Sequence, residues 1–364
     1  MDAFDLAGFW RENAECFAPF SVNKPRAPLQ LMLDDHFLLS LLPSESPERY
    51  YSDPGYALAA HGRANDLLER ELGRRFYGEG EHAFLKGAFE ILLGARRVIR
   101  KGGTPWIEPA VRDARGARLL ADSLERRGLR GRLPEEWLEA KARLMASSGK
   151  RLCFHHAPNG PATVACHLLG TENLCLLIME EPEMMEAFFE VLGRRHVEFI
   201  EAALLEDLGF VPREGVYIND DNCYLFPPDQ YERMCAPYLK RLFDAFAPSP
   251  NHIRSQHSDS SMGHLMEILN RLGVNMVNFG PDMEPAAIRR AMPRAILCGQ
   301  MPPFLLRDGS EEEIRDRVRR EFEAVGQDGG WVAAPAGVVP ESTPLWRIRA
   351  YMRAVFELTR HGQK

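Results

Sequence analysis

Short apolar runs bounded by turn residues alternate along this chain with longer stretches whose apolar positions recur every three or four residues. A period near two marks strands and a period near 3.6 marks helices. Their alternation predicts a parallel sheet wrapped in helices. The runs predict strands at Leu29–Leu33, Leu152–His155, Gly215–Ile218, His252–Ser255, Met276–Phe279, Ala295–Cys298 and Gly330–Ala333. Helical spacing covers Pro182–Leu205, Pro228–Ala247, Ser261–Leu272 and Ser310–Val325. The last of these opens with Ser310-Glu311-Glu312-Glu313, the pattern of a capping box. No repeat, low-complexity tract or Pro/Gly/Ser-rich linker interrupts the chain, so a single domain over 1–364 is expected.

Polar and reactive residues stand just past many of these strands. Asp34, Asp35 and His36 follow the first, and Asp220 and Asp221 follow Gly215–Ile218. His257 and Asp259 follow His252–Ser255; Cys298 and Gln300 close Ala295–Cys298. Side chains gathered at the carboxyl ends of successive parallel strands are how a barrel enzyme builds its site, although any one turn can be polar merely because turns are wet. His155 and His156 end another strand, and adjacent strand residues face opposite ways, so at most one of them faces a pocket. Phe84 and Phe279 are candidate pocket walls, with burial in the core as the alternative.

Composition narrows the function. A net charge of −7 over 364 residues leaves no basic stripe for nucleic acid. No apolar run reaches the roughly 18 residues a membrane span needs. The N-terminal MDAFDLAGFWRENAECF has early acids and no basic n-region, unlike a signal peptide. Seven dispersed cysteines without a CxxC pair suit free thiols in a reducing cytoplasm. The expectation is a cytoplasmic protein acting on a small molecule.

Asp220-Asp221-Asn222-Cys223-Tyr224-Leu225-Phe226-Pro227-Pro228, then Tyr231 and Ala236-Pro237-Tyr238, resembles a signature of the uroporphyrinogen decarboxylase-like superfamily. In order, His257-Ser258-Asp259 takes the place of a His-x-Cys-Gly turn, Leu272-Gly273-Val274-Asn275 that of a strand entry, and Leu297-Cys298-Gly299-Gln300-Met301 that of a strand end. Gly337–Pro344 matches a closing loop; upstream, Tyr50–Pro54, Gly103–Pro109, Gly160–Thr163 and Leu169–Glu172 match as well. The resemblance implies a distorted (β/α)8 TIM-type barrel of the α/β class with N-terminal helical additions.

It also implies one of two chemistries, and the departures separate them. True decarboxylases carry an arginine-rich loop after the first strand, where bidentate guanidinium groups meet substrate carboxylates. Here that loop is Asp34-Asp35-His36; His167 falls near the family's pocket Tyr, and Ala336 replaces a closing-loop His. The methyltransferases hold zinc with a His-x-Cys turn and a later Cys. Here His257 is kept, Asp259 replaces the first Cys, and Ala336 replaces the second. The leading expectation is metal-assisted transfer of a methyl group from a small methylated donor to a corrinoid on a carrier protein. A divalent metal, zinc first, would be held by His257, Asp259, Asp220 and Cys298. Asp34, Asp35, His36, His167 and Asp221 are the candidate catalytic groups, and Phe84, Phe279 and Gln300 the candidate substrate contacts. A metal-independent decarboxylase or lyase and a non-catalytic binding barrel stay open, as does a homodimer.

Overall fold

The computed structural model describes residues 4–18, 20–84, 87–99, 105–154 and 157–361. His155 and His156, and Gly103 and Thr104 of one matched motif, lie outside the described residues. The strands are β1 (Glu81–Ala83), β2 (Arg96–Ile99), β3 (Pro105–Glu108), β4 (Arg151–Cys153), β5 (Gly215–Asn219), β6 (Ile253–Ser258), β7 (Met276–Phe279), β8 (Ile296–Cys298) and β9 (Trp331–Val332).

Strands β5 to β9 pair in chain order, each parallel to the next. Parallel neighbours need a crossover, and helices supply it: Pro228–Gln230 and Ala236–Phe246 between β5 and β6, Met266–Arg271 before β7, Pro285–Ala291 before β8, Glu311–Glu321 before β9. The ladder continues past both edges. Asn159 bridges Asn219 of β5, and Leu29 bridges Ala333 just beyond β9, both in the parallel sense. Strand β1 pairs parallel with β4. The chain is an α/β protein in which β5 to β9 run in sequential parallel order.

Both faces of such a sheet are covered, so its strands read as near-continuous apolar runs. Ile218, Val277 and Leu297, turned toward the helices, are at most 1% exposed. The opposite face carries Ile253, Met276, Ile296 and Val332 in one apolar cluster, together with a row of polar residues. The Ser310 capping box forms as expected, with Ser310 Oγ accepting from Glu313 N–H and the Glu313 carboxylate accepting from Ser310 N–H. Among the described residues no single helix is long and apolar enough to cross a membrane.

Three strands went unread in the sequence. β1 is only three residues long, and β2 and β3 form an antiparallel hairpin in a stretch without clear periodicity. The Leu29–Leu33 run makes an isolated bridge rather than an assigned strand.

Candidate metal and acid–base site

The polar level of the sheet is one row across adjacent strands. Asn159 is paired with Asn219, Asn219 with His257, and His257 with Asn278. Residues paired across a parallel ladder project from the same face, so four polar side chains share one surface of the sheet.

Within this row His257 is held by its neighbour. Gly337 N–H donates to Asn278 Oδ1 at 3.0 Å, and Asn278 Nδ2 donates to the carbonyls of Cys298 and Pro335. These backbone partners fix which end of the amide is oxygen. The 2.8 Å contact between His257 Nδ1 and Asn278 Oδ1 is therefore an Nδ1–H donation. That leaves Nε2 as the nitrogen facing outward, where it meets Asp259 Oδ1 at 3.4 Å and Asp221 Oδ1 at 3.7 Å. One donor atom from each of Asp221, His257 and Asp259 lies within 4.8 Å of the others. Asp259 N–H also donates to Asp221 Oδ1 at 2.9 Å, tying the two turns together. Burial pushes the Asp259 carboxyl above the usual range and the Asp221 charge adds to this, while His257 pulls it down.

Glycine makes room for this arrangement. A Cβ on Gly337, whose φ is +98°, would stand 2.5 Å from Asp259 Oδ1, and a Cβ on Gly280 would stand 2.5 Å from the Asp259 carbonyl oxygen.

Asp220, expected among the ligands, faces elsewhere. Its carboxylate is fully buried and accepts from Thr163 N–H at 2.8 Å, at the start of the helix Pro161–Leu169. That helix begins at Gly160, which has no side chain to cap it, and a Cβ there would sit 2.4 Å from Asp220 Cβ. The acid thus serves as an N-cap supplied from a neighbouring strand. Its Oδ2 has no partner among the described residues, and burial pushes its pKa up to about 7. Adjacent acids on one strand end diverge, so it is Asp221 that joins His257 and Asp259.

Other expected residues are also placed apart from the cluster. Cys298 is buried, its thiol pushed up to about 12 by desolvation, and only its carbonyl touches the site, through Asn278. Gln300 is wholly buried and donates to the carbonyls of Gly280 and Met283, bracing the loops rather than facing a pocket. Phe279 is fully buried and, one residue after Asn278, points to the helix side of the sheet. Phe84 is buried in the core with the Arg97 guanidinium 5.3 Å from its ring centre. Asp34 is an N-cap, accepting from Phe37 N–H, and His36 lies in the first turn that follows. Asp35 accepts from the Tyr50 hydroxyl at 3.1 Å, and that hydroxyl also meets His61 Nε2 at 2.9 Å.

Sequence reading missed Glu90. It is buried on the short helix Ala88–Leu92, and its Oε1 accepts from His167 Nδ1 at 2.9 Å and from Asn159 Nδ2 at 2.7 Å. Burial alone would raise its carboxyl; the hydrogen bonds and charge of His167, with the bond from Asn159, outweigh it and hold the carboxyl below the usual range. A lone acid amid Ala-Phe-Glu-Ile-Leu gives no sequence signal, because its partners come from residues far along the chain.

A solved structure shares this architecture. A methyltransferase from Methanosarcina mazei superposes with a TM-score of 0.65 at 15% identity, covering 98% of this chain and 99% of its own. A B12-independent methionine synthase from Shewanella sp. W3-18-1 overlaps 60% of this chain and 64% of its own at 13% identity, with a TM-score of 0.37, too low to bear on the fold. No curated protein sequence matches the chain significantly. The family model described as Uroporphyrinogen decarboxylase (URO-D) matches residues 92–358, well over half of the chain. The ordered motifs and this match agree: the chain belongs to the uroporphyrinogen decarboxylase (URO-D) family.

Proposed function

We propose that this protein is a distorted (β/α)8 barrel enzyme that transfers a methyl group, with Asp221, His257 and Asp259 as a divalent-metal site at the barrel mouth. Supporting the barrel reading, β5 to β9 pair in parallel chain order, β1 pairs parallel with β4, and the Leu29 and Asn159 bridges extend the five-stranded sheet at its two edges. The observation that carries the functional reading is the outward Nε2 of His257, aimed by Asn278 at two carboxylates.

The donor set fits a metal on its own chemistry. Imidazole with carboxylates suits zinc and similar divalent ions. Two ligands bonded at ~2 Å to one tetrahedral ion stand roughly 3.3 Å apart, close to the 3.4 and 3.7 Å separations at His257 Nε2. Two carboxylates facing each other also favour a cation between them. When bound, the ion would act as a Lewis acid on the donor heteroatom. The chain's own residues do the rest: Asn278 fixes the tautomer and ring plane of His257, and Gly337 closes the loop over Asp259. A thiolate-poor set favours a hard oxygen donor such as a methoxy group over a thiol. By the family resemblance, the acceptor is a corrinoid on a partner protein.

The test uses full-length zinc-loaded protein, free cob(I)alamin and a panel of methoxylated aromatic, N-methyl and S-methyl donors. Appearance of the methylcobalamin spectrum with a methoxylated donor, absent with His257→Ala, is the expected result. Failure with every donor, or carbon dioxide release from a small acid without metal, would overturn methyl transfer.

A further inference from the structure

Glu90, His167 and Asn159 form a second polar cluster opening to the same face of the sheet as the Asp221–His257–Asp259 group. Asn159 is one rung from Asn219 and two from His257 in the parallel ladder. At roughly 4.8 Å per strand, that sets the Asn159 and His257 backbones about 10 Å apart. Glu90 is 2% exposed, its Oε1 already accepts from Asn159 Nδ2, and the bonds it receives hold its carboxyl below the usual range; as an acceptor it assigns the proton of this contact to His167 Nδ1. The His167 side chain is 30% exposed, and Nε2 has no hydrogen-bond partner among the described residues. A buried acid tied to Nδ1, with Nε2 open, is the geometry of a general acid–base imidazole.

We infer that His167 is the proton-transferring residue of this site, with Glu90 as its positioning residue, and that it serves the hydroxyl compound left when a methoxylated donor loses its methyl group. The inference rests on the methyl-transfer reading for the identity of that compound. The carbon–oxygen bond breaks with its electron pair going to oxygen. That oxygen takes the proton of the His167 imidazolium from Nε2, and the methyl carbon bonds to a two-electron nucleophile of the cobalt(I) corrinoid class. Glu90 keeps its negative charge throughout and stabilises the imidazolium before transfer. Asn159 holds the carboxylate from the other side, so the dyad is braced against the sheet that carries His257.

The experiment is 15N NMR of the full-length protein with labelled histidine, His167 being assigned by its loss in His167→Asn, and with phenol as the probe. The expected spectrum shows His167 protonated at Nδ1, with its Nε2 resonance moved by phenol in wild type and in His257→Ala alike. In Glu90→Leu the proton redistributes between the two nitrogens; Glu90→Gln, which keeps an acceptor oxygen at the same place, controls for folding. A neutral His167 ring with its proton on Nε2 and Nδ1 bare, or no response to phenol, overturns the inference. Where a methoxylated donor turns over, Glu90→Gln should lower kcat by about 100-fold with KM for the donor unchanged, and Glu90→Asp should recover part of the loss. Turnover that His167→Asn leaves intact would overturn the role of His167 while methyl transfer stands; an NMR result as expected with no donor turned over would remove methyl transfer and leave the dyad as an acid–base site.

Discussion

Two imidazoles, His257 on β6 and His167 on the helix Pro161–Leu169, are anchored alike and surrounded differently. His257 and His167 each give the Nδ1 proton to a fixed acceptor, which turns Nε2 outward. For His257 the acceptor is the neutral Asn278 amide, and Nε2 meets two carboxylates. For His167 the acceptor is the buried Glu90 carboxylate, and Nε2 has no hydrogen-bond partner among the described residues. A neutral anchor beside anionic neighbours suits an imidazole that shares a cation. An anionic anchor stabilises the imidazolium that forms when Nε2 takes a proton. The same local device thus gives a ligand in one place and an acid–base group in the other, and what decides is the charge on each side of the ring.

That contrast can be broken. The largest effect is expected from His257→Ala, which should weaken zinc binding by at least about 100-fold, since even the outer partners of a ligand carry 10–100-fold. His167→Ala should leave zinc affinity unchanged; calorimetric titration of both variants reads the difference. Next comes Asn278→Leu, which frees the His257 ring and should cost about 10–100-fold in zinc affinity. It also strands the Cys298 and Pro335 carbonyls and so should lower the melting temperature.

Asp220→Asn sharpens the comparison from the other side, by altering an acid next to the cluster that is not of it. Burial raises the pKa of Asp220 in the folded protein to about 7, from 3.8 for a free aspartate side chain. Its contribution to stability is therefore fully present below about pH 4 and is lost as pH rises through about 7. Wild type should lose several degrees of melting temperature across that window relative to Asp220→Asn, which stays uncharged and keeps an oxygen for Thr163 N–H. A parallel pair of melting curves from pH 4 to 8 would contradict this. The smallest effect is expected from Gly337→Ala, where a left-handed backbone costs a side chain roughly 1–2 kcal/mol and the new methyl presses on Asp259. Zinc affinity should fall modestly there, with the His167 signals unmoved.

The sequence carried the C-terminal half of the fold well, because β5 to β9 are apolar runs separated by helices, the last of which opens on the Ser310 capping box. The N-terminal half was less legible. β1 is three residues long with an exposed first position, and its partner β4 lies far along the chain, so no local periodicity announced either pairing. In the site, His257 and Asp259 were legible from strand-end position. The choice between Asp220 and Asp221 was not, because it depends on which carboxylate the uncapped helix at Gly160 draws in. Glu90 was invisible for the same reason: its role is set by Asn159 and His167, brought to it only by the fold.

The most direct test is therefore zinc titration of chelator-treated full-length protein in three forms: wild type, Asp220→Asn and Asp221→Asn. One ion per chain in wild type, kept in Asp220→Asn and lost in Asp221→Asn, is the predicted result. No binding in wild type, or loss in Asp220→Asn with binding retained in Asp221→Asn, would contradict the site built from Asp221, His257 and Asp259.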